Sequence, residues 1–309
     1  MANMADTPDI VVAHSEAGER LDRYLRRHVG HLSRTALSQA IGNMSVLVNG
    51  RRATKGQLLR TGDRIRIEVR DRGPGPGVDA ALPLRILYED ADVVAIDKPA
   101  GIPSHALRPG EVGTVVSALL NRYPDMAGVG YRPLEPGILH RLDTETSGVL
   151  VAARNPTSFQ ALRLSQRRGE MPKRYVALCW GHLDPGRKTA YLRANQRRVR
   201  VEPAAFSGAR PIETEVIAAA VRGGLCLVTI QLASAARHQV RAHLAALGHP
   251  IVADALYGGA SAAGLTRHFL HASDVAIRHP AHGQLLEFHA DLPDDLVRTL
   301  EALPAHHGS

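Results

Sequence analysis

Apolar residues recur at helical spacing near the start of the chain. Leu21, Leu25 and Val29, with Tyr24 beside them, predict a first helix. Ser33 is placed to cap a second short helix carrying Leu37 and Ile41. The period then changes. Val46-Leu47-Val48 runs into Asn49-Gly50, a tight-turn pair, and Gly62-Asp63 marks another turn. Ile65, Ile67 and Val69 alternate with Arg64, Arg66, Glu68 and Arg70, the pattern of a half-buried strand. Two short helices and a small curled sheet are therefore expected over residues 18–72. A lead-in at 1–17 precedes them, with an initial strand at Ile10 to Ala13.

Gly73-Pro74-Gly75-Pro76-Gly77 builds neither helix nor sheet, because alternating Pro and Gly remove donors and fix or free φ at every step. It opens a linker at 73–82 and sets the domain boundary. In the second domain, 83–304, Val93-Val94-Ala95-Ile96 and Val149-Leu150-Val151-Ala152-Ala153 read as buried strands. Gly113 to Leu120 reads as a helix. Asn155-Pro156 is an N-cap followed by a first-turn proline, opening a helix with Phe159, Leu162 and Gln166 along one side. Arg174 to Trp180 and Cys226 to Leu232 are strands, and Arg237 to Leu247 is a helix stopped by Gly248. Irregular alternation of strands and helices predicts an α+β fold with a mixed sheet. Residues 305–309 read as a frayed tail.

Composition changes this picture only through charge. Residues 19–72 carry 13 Lys and Arg against 5 Asp and Glu, and residues 154–200 carry 12 against 2. Two basic blocks in a chain of net charge +8 point to a phosphate-rich partner. Arginine dominates both blocks, and guanidinium favours bidentate contact with phosphate. Aromatic residues make up 4% of the chain, too few for an extended base-stacking platform. No apolar run approaches the roughly 18 residues of a membrane span. Residues 1–9 show no secretory pattern. Cys179 and Cys226 provide neither a disulfide framework nor a Cys-rich zinc site, so a reducing cytoplasm is expected. The histidines lack carboxylate or thiol companions at ligand spacing. No metal is expected, and packing and turn roles are preferred for His238, His243 and His249.

The chemistry concentrates in His140-Arg141-Leu142-Asp143-Thr144-Glu145-Thr146-Ser147-Gly148, a polar loop entering a buried strand. In an extended segment Arg141 and Asp143 point the same way. A nearby cation favours the ionised carboxylate, and an ionised carboxylate can act as a nucleophile. Taken alone, an Arg/Asp pair at this spacing more often braces a loop.

The full string resembles the H-R-L-D-x-x-T-S-G signature of the RluA family of RNA pseudouridine synthases. Further motifs follow the family order. They are Asp97-Lys98-Pro99-Ala100-Gly101-Ile102 with His105, then Lys173-Arg174-Tyr175-Val176-Ala177-Leu178. Arg237 to Leu244, continued through His249-Pro250-Ile251 and Asp254 to Gly258, comes next, and Phe269 to Ala272 with His279-Pro280 closes the series. The resemblance spans about residues 84–295. The segment before the linker resembles an S4-like RNA-binding domain. The expected architecture is therefore an S4-like domain followed by a synthase domain, whose mixed, largely antiparallel sheet is flanked by helices.

The resemblance implies isomerisation of uridine to pseudouridine in structured RNA. The N-glycosidic bond breaks, the uracil turns, and C5 rejoins C1′. Asp143 would assist cleavage, by attack on C1′ or by promoting loss of the C2′ proton. Arg241 would hold that carboxylate, Tyr175 would face the detached uracil, and Arg141 would help extrude the base, which must leave the stack to react. Arg20, Arg23, Arg27, Arg34, Lys98, Lys173 and Arg237 are the further RNA-contacting candidates. Arg237, Arg241 and Leu244 would share a helix face. Ser234-Ala235-Ala236-Arg237 stands where the family usually has T-G-R-T, which alters RNA contacts more than chemistry. By the same analogy the substrate is large-subunit (23S) ribosomal RNA first and tRNA second. No cofactor is expected, and the chain is expected to work as a monomer. The competing reading is a non-catalytic RNA-binding or ribosome-assembly protein that retains the fold. It does not require Asp143, Tyr175 and Arg241 together.

Overall fold

The computed structural model describes residues 10–28, 46–54, 56–67, 75–194, 198–207 and 209–304. The chain divides into two compact units, 1–74 and 75–309.

In the first unit, helix α1 (Leu21–His28) buries Leu21, Tyr24 and Leu25 on one face. They pack with Val12, Val46, Val48, Leu59 and Ile65 in one small core. The sheet runs β1 (Ile10–Val11), β4 (Arg64–Ile67), β2 (Val46–Val48), β3 (Arg51–Arg52). Asn49 and Gly50 both have positive φ, 52° and 74°, and close the β2–β3 hairpin as a two-residue turn. The expected second helix, with Ser33 and Arg34, lies outside the described residues, as do the tail and most of the lead-in.

In the second unit one ten-stranded sheet is built from β5 (Arg85–Glu89), β6 (Val93–Lys98), β7 (Ser147–Ala153), β8 (Lys173–Trp180), β9 (Gly186–Ala194), β10 (Val199–Glu202), β11 (Arg210–Arg222), β12 (Leu225–Leu232), β13 (Leu270–Arg278) and β14 (Leu285–His289). Its order is β10-β9-β11-β12-β8-β13-β7-β6-β5, with β14 on β13. Only β13 and β7 run parallel. Helices α2 (Val115–Arg122), α3 (Pro156–Arg167), α4 (Gln239–Ala246) and α5 (Asp294–Glu301) flank the sheet.

Strands β6 and β7 are covered on both faces. Val94, Ile96, Leu150 and Ala152 join a core with α2 and α4, while Val93, Ala95, Val149 and Val151 join a second core with Phe159 and Leu162 of α3. Double coverage is why both strands read as continuous apolar runs rather than alternating ones. Gly148 has φ 113°, and a Cβ there would run into the Ala272 backbone, so glycine lets β13 close onto β7 directly after the Asp143 loop.

The structure departs from the sequence expectation in several places, and β5, β13, β14 and α5 had no stated counterpart. Residues 75–82 are not free spacer. Gly110 N–H donates to the Gly75 carbonyl and Gly77 N–H to the Glu111 carbonyl, both at 2.9 Å. Strands β9 to β11 had no predicted counterpart, because their side chains are only partly buried and carry many charges. Helix α2 starts at Val115, where Thr114 caps it by accepting the Ser117 N–H. Helix α4 starts at Gln239. Its N-cap, His238, is left-handed at φ 54°, so Arg237 precedes the helix and shares no face with Arg241.

Candidate active site

The Asp143 loop is clamped from behind through its main chain. Ser104 Oγ donates to the Leu142 carbonyl and accepts the Leu142 N–H, at 2.7 and 3.1 Å. Arg267 donates to the Glu145 carbonyl, and Thr146 Oγ1 bonds His268 Nε2 at 2.7 Å. Burial pushes His268 down to about 4, so it acts as a neutral partner. Lys98 Nζ donates to the carbonyls of Pro99, Ile102 and Thr144 at 2.7, 2.8 and 3.0 Å.

With its backbone held, Asp143 projects one carboxylate that remains 24% exposed, enough for a substrate to reach. Arg241 Nη1 donates to its Oδ2 at 2.8 Å. The same guanidinium binds Asp254 side-on, Nε to Oδ2 at 2.7 Å and Nη2 to Oδ1 at 2.8 Å. The Asp254 side chain is wholly buried. Burial opposes the charge on Arg241, but the hydrogen bonds to Asp254 and Asp143 outweigh it and hold the group above its ordinary value. Asp254 neutralises the buried cation and fixes its plane, while the third nitrogen aims at Asp143. Asp254 belongs to the turn after α4, and its signal was present in the motif from Asp254 to Gly258 without a role attached.

His238 is a second site residue that sequence reasoning assigned to packing. Its Nε2 lies 3.6 Å from Asp143 Oδ1, and its Nδ1 lies 3.0 Å from the Tyr257 hydroxyl. Burial, against the pull of Asp143, holds the ring below the usual histidine range. The network assigns the tautomer. Tyr257 Oη already accepts the Val199 N–H at 2.9 Å, so its own proton is free to go to Nδ1. That leaves Nε2–H facing the carboxylate, whereas the other tautomer would set a lone pair against a negative charge.

Tyr175 lies on β8, 5% exposed. Burial, then the neighbouring Asp143 charge, pushes its phenol well above the usual range, so it stays a neutral aromatic surface beside the carboxylate.

The fold brings Asp143, Tyr175 and Arg241 together and corrects other assignments. Arg141 does not pair with Asp143; it turns to Glu135 and His105, and the cation on Asp143 comes from Arg241 instead. Lys98 and Lys173 are 0% and 1% exposed, so neither side chain is presented at the surface. Lys173 donates to the Met171 carbonyl, and burial brings it down to about 8. Burial likewise brings Lys98 down to about 7, although three carbonyl acceptors engage all three N–H bonds of its charged form. Lys98→Met is therefore expected to cost about 2 kcal/mol in stability, because it removes the donor that ties three partly buried carbonyls together. Denaturant titration measures this, and a stable variant with weakened RNA binding would restore Lys98 as an RNA contact.

Arg20, Arg23 and Arg27 are exposed, as is Arg237. Arg20 pairs with Asp22, and Arg27 pairs with Glu16 and Glu19, which offsets part of the positive charge on the first unit. Within the second basic block Arg154 and Arg163 are spent on the carbonyls of Asp90 and Leu139. Among the described residues, Asp90, Asp92 and His279 are the one group with metal-ligand geometry. Their atoms serve the protein: Asp90 accepts from Tyr88, Asp92 N–H, Val93 N–H and His279, and Asp92 accepts from Asn155 and Ser158.

A mixed ten-stranded sheet presenting an arginine-held aspartate beside a buried tyrosine, preceded in the chain by a small helix-and-sheet unit, defines an RNA pseudouridine synthase. Comparison with known proteins agrees. Residues 92–246 match the RNA pseudouridylate synthase family and residues 19–65 the S4 domain. An uncharacterized RNA pseudouridine synthase of Chloroflexus aurantiacus is 37% identical over 96% of this chain and 95% of its own. Ribosomal large subunit pseudouridine synthase D of Xanthomonas campestris is 32% identical over 95% and 91%, and that of Yersinia pestis 30% over 95% and 94%. In fold, human RNA pseudouridylate synthase domain containing 4 superposes with TM-score 0.54 at 21% identity, covering 72% of this chain and 94% of that one. The chain belongs to the RluA family of RNA pseudouridine synthases, with an N-terminal S4 domain.

Proposed function

We propose that this enzyme isomerises uridine in large-subunit ribosomal RNA, with Asp143 as the catalytic carboxylate. The observation that carries the assignment is the Asp143–Arg241–Asp254 arrangement, in which a buried, internally neutralised cation aims one N–H at a solvent-accessible carboxylate. Arg241 is a positioning residue. It fixes the plane of the Asp143 carboxylate through Oδ2, and it leaves Oδ1 for C1′ or the C2′ proton. Tyr175 supplies an apolar face against which the detached uracil turns. Arg141, on the open side of the loop, enters the space left by the extruded base. None of these steps calls for a cofactor or metal, and the reading is of a cytoplasmic monomer. Among the described residues no helix is long and apolar enough to cross a membrane.

The ribosomal substrate rests on the names of the relatives above and on the basic S4 unit. Mapping pseudouridines across total RNA from cells with and without the gene tests it. Loss of sites in large-subunit RNA is the expected result, and loss confined to tRNA overturns the assignment.

The S4 unit is proposed to anchor RNA through phosphates, which sets register more than it reads sequence. Because Gly75 and Gly77 are bonded into the second unit, the cut that separates the two units falls after Pro74. Residues 75–309 alone are expected to bind ribosomal RNA more weakly and with a flatter salt dependence, since fewer counterions are released. Affinities of full and truncated proteins across a salt series measure this. Equal slopes would place the electrostatics in the second unit alone.

A further inference from the structure

Three basic side chains converge on one carboxylate oxygen beside the Asp143 loop. Glu135 Oε1 accepts from Nη1 of Arg132 and from Nη1 of Arg141, both at 3.1 Å, and lies 3.4 Å from His105 Nε2. His105 Nδ1 is 2.8 Å from the Ala106 carbonyl, so that nitrogen carries the proton and donates. His105 Nε2 lies 3.2 Å from Arg141 Nη1.

The exposures are unequal in an informative way. The Glu135 side chain is 16% exposed, whereas Arg141 is 42% and Arg132 64% exposed. The carboxylate sits beneath cations that open outward. The fit is also poor. Both guanidiniums meet a single oxygen through a single nitrogen, although a guanidinium fork matches two oxygens at once. A phosphodiester carries the same charge as the carboxylate but presents two non-bridging oxygens on a wider tetrahedral frame, so both forks can engage it. The position is fixed relative to the chemistry, because Leu142, between Arg141 and Asp143, has its N–H and carbonyl both tied to Ser104.

We propose that Arg132 and Arg141, the latter propped by His105, form a binding site for one RNA phosphodiester near the target nucleotide, and that Glu135 fills this site in the free protein as an internal competitor. The inference rests on RNA being the substrate. Entry of the phosphate expels Glu135 to solvent and frees Arg141 from its carboxylate tether, so Arg141 becomes available to the opened stack only once RNA is seated. Glu135 therefore weakens binding of every RNA by the work of displacing it.

Glu135→Gln removes the competing charge and keeps the shape. Its dissociation constant for a ribosomal RNA fragment is expected to fall about two- to fivefold at low salt. The slope of log affinity against log salt is expected to steepen by up to about 0.9, because no expelled carboxylate then takes back the counterion that the seated phosphate releases. Arg132→Gln should weaken binding more in the Glu135→Gln background than in the wild type, because only there is Arg132 free of an internal partner. Unchanged or weaker binding by Glu135→Gln, at an unchanged slope, overturns the proposal and leaves Glu135 as a brace that aims Arg141. Should the glutamine variant melt early, Glu135→Asp, which withdraws the carboxylate by one methylene, is expected to shift affinity in the same direction by less, and no shift there overturns the proposal equally. Pseudouridine formation by the wild type on the same fragment separates the two readings. Product with unchanged Glu135→Gln binding defeats this inference alone, and RNA bound without product defeats the assignment of that RNA as substrate.

Discussion

Asp143→Asn is expected to bind RNA, keep its fold and make no pseudouridine. The amide matches the carboxylate in shape but can neither attack C1′ nor take the C2′ proton. Loss of a reacting group of this kind costs about 10⁴-fold or more in rate. The structure adds a reason for the fold to survive. Arg241 stays neutralised by Asp254 through two hydrogen bonds, so removing the charge at Asp143 leaves no orphaned buried cation. Tritium release from 5-labelled uridine in RNA measures turnover, and thermal melting measures the fold. Turnover within tenfold of wild type would remove Asp143 from the chemistry, and a collapsed fold would show that the Asp143 pair is structural.

Arg241→Lys is expected to be severely impaired despite its conserved charge. Three nitrogens of one plane serve two carboxylates here. An ammonium on a flexible stem cannot hold Asp254 side-on and still reach Asp143 in line, so the two cations are not interchangeable. Displacement of the carboxylate by about 1 Å costs on the order of 10²-fold in rate. The denaturant midpoint should fall as well, because the wholly buried Asp254 loses its bidentate partner. Single-turnover rate at saturating RNA is the measurement, and a near-normal rate would refute the positioning role.

Much of the fold was legible wherever a local physical cause sufficed. Asn49-Gly50 closes a two-residue hairpin because both residues tolerate positive φ. Asn155 caps α3 and Pro156 begins it, since a proline lacks only a donor that the first turn would not use. The apolar runs of β6 and β7 announced strands covered on both faces. Strands β9 to β11 went unread although Ile212, Thr214 and Val216 alternate with Glu213 and Glu215, because their apolar positions are few and interleaved with charges.

The chemical site divides along the same line. The amino-acid sequence determined that the chain carries an S4-like unit and a synthase domain, and it singled out Asp143, Tyr175 and Arg241, because an ordered set of motifs identifies the family without any knowledge of contacts. Only the tertiary structure decided which charges serve the substrate and which serve the protein. Lys98 and Lys173 read as surface cations but are buried and donate to main-chain carbonyls of the protein itself. Asp254 carried no assigned role and His238 was assigned to packing or a turn, yet both face the Asp143–Arg241 pair. Arg141 was matched to Asp143 by local spacing but belongs to Glu135. The reason is distance along the chain: Asp143 and Arg241 are 98 residues apart. A charge is paired by whatever the packed sheet and helices carry to within about 3 Å of it, at hydrogen-bonding range, and local spacing does not encode that.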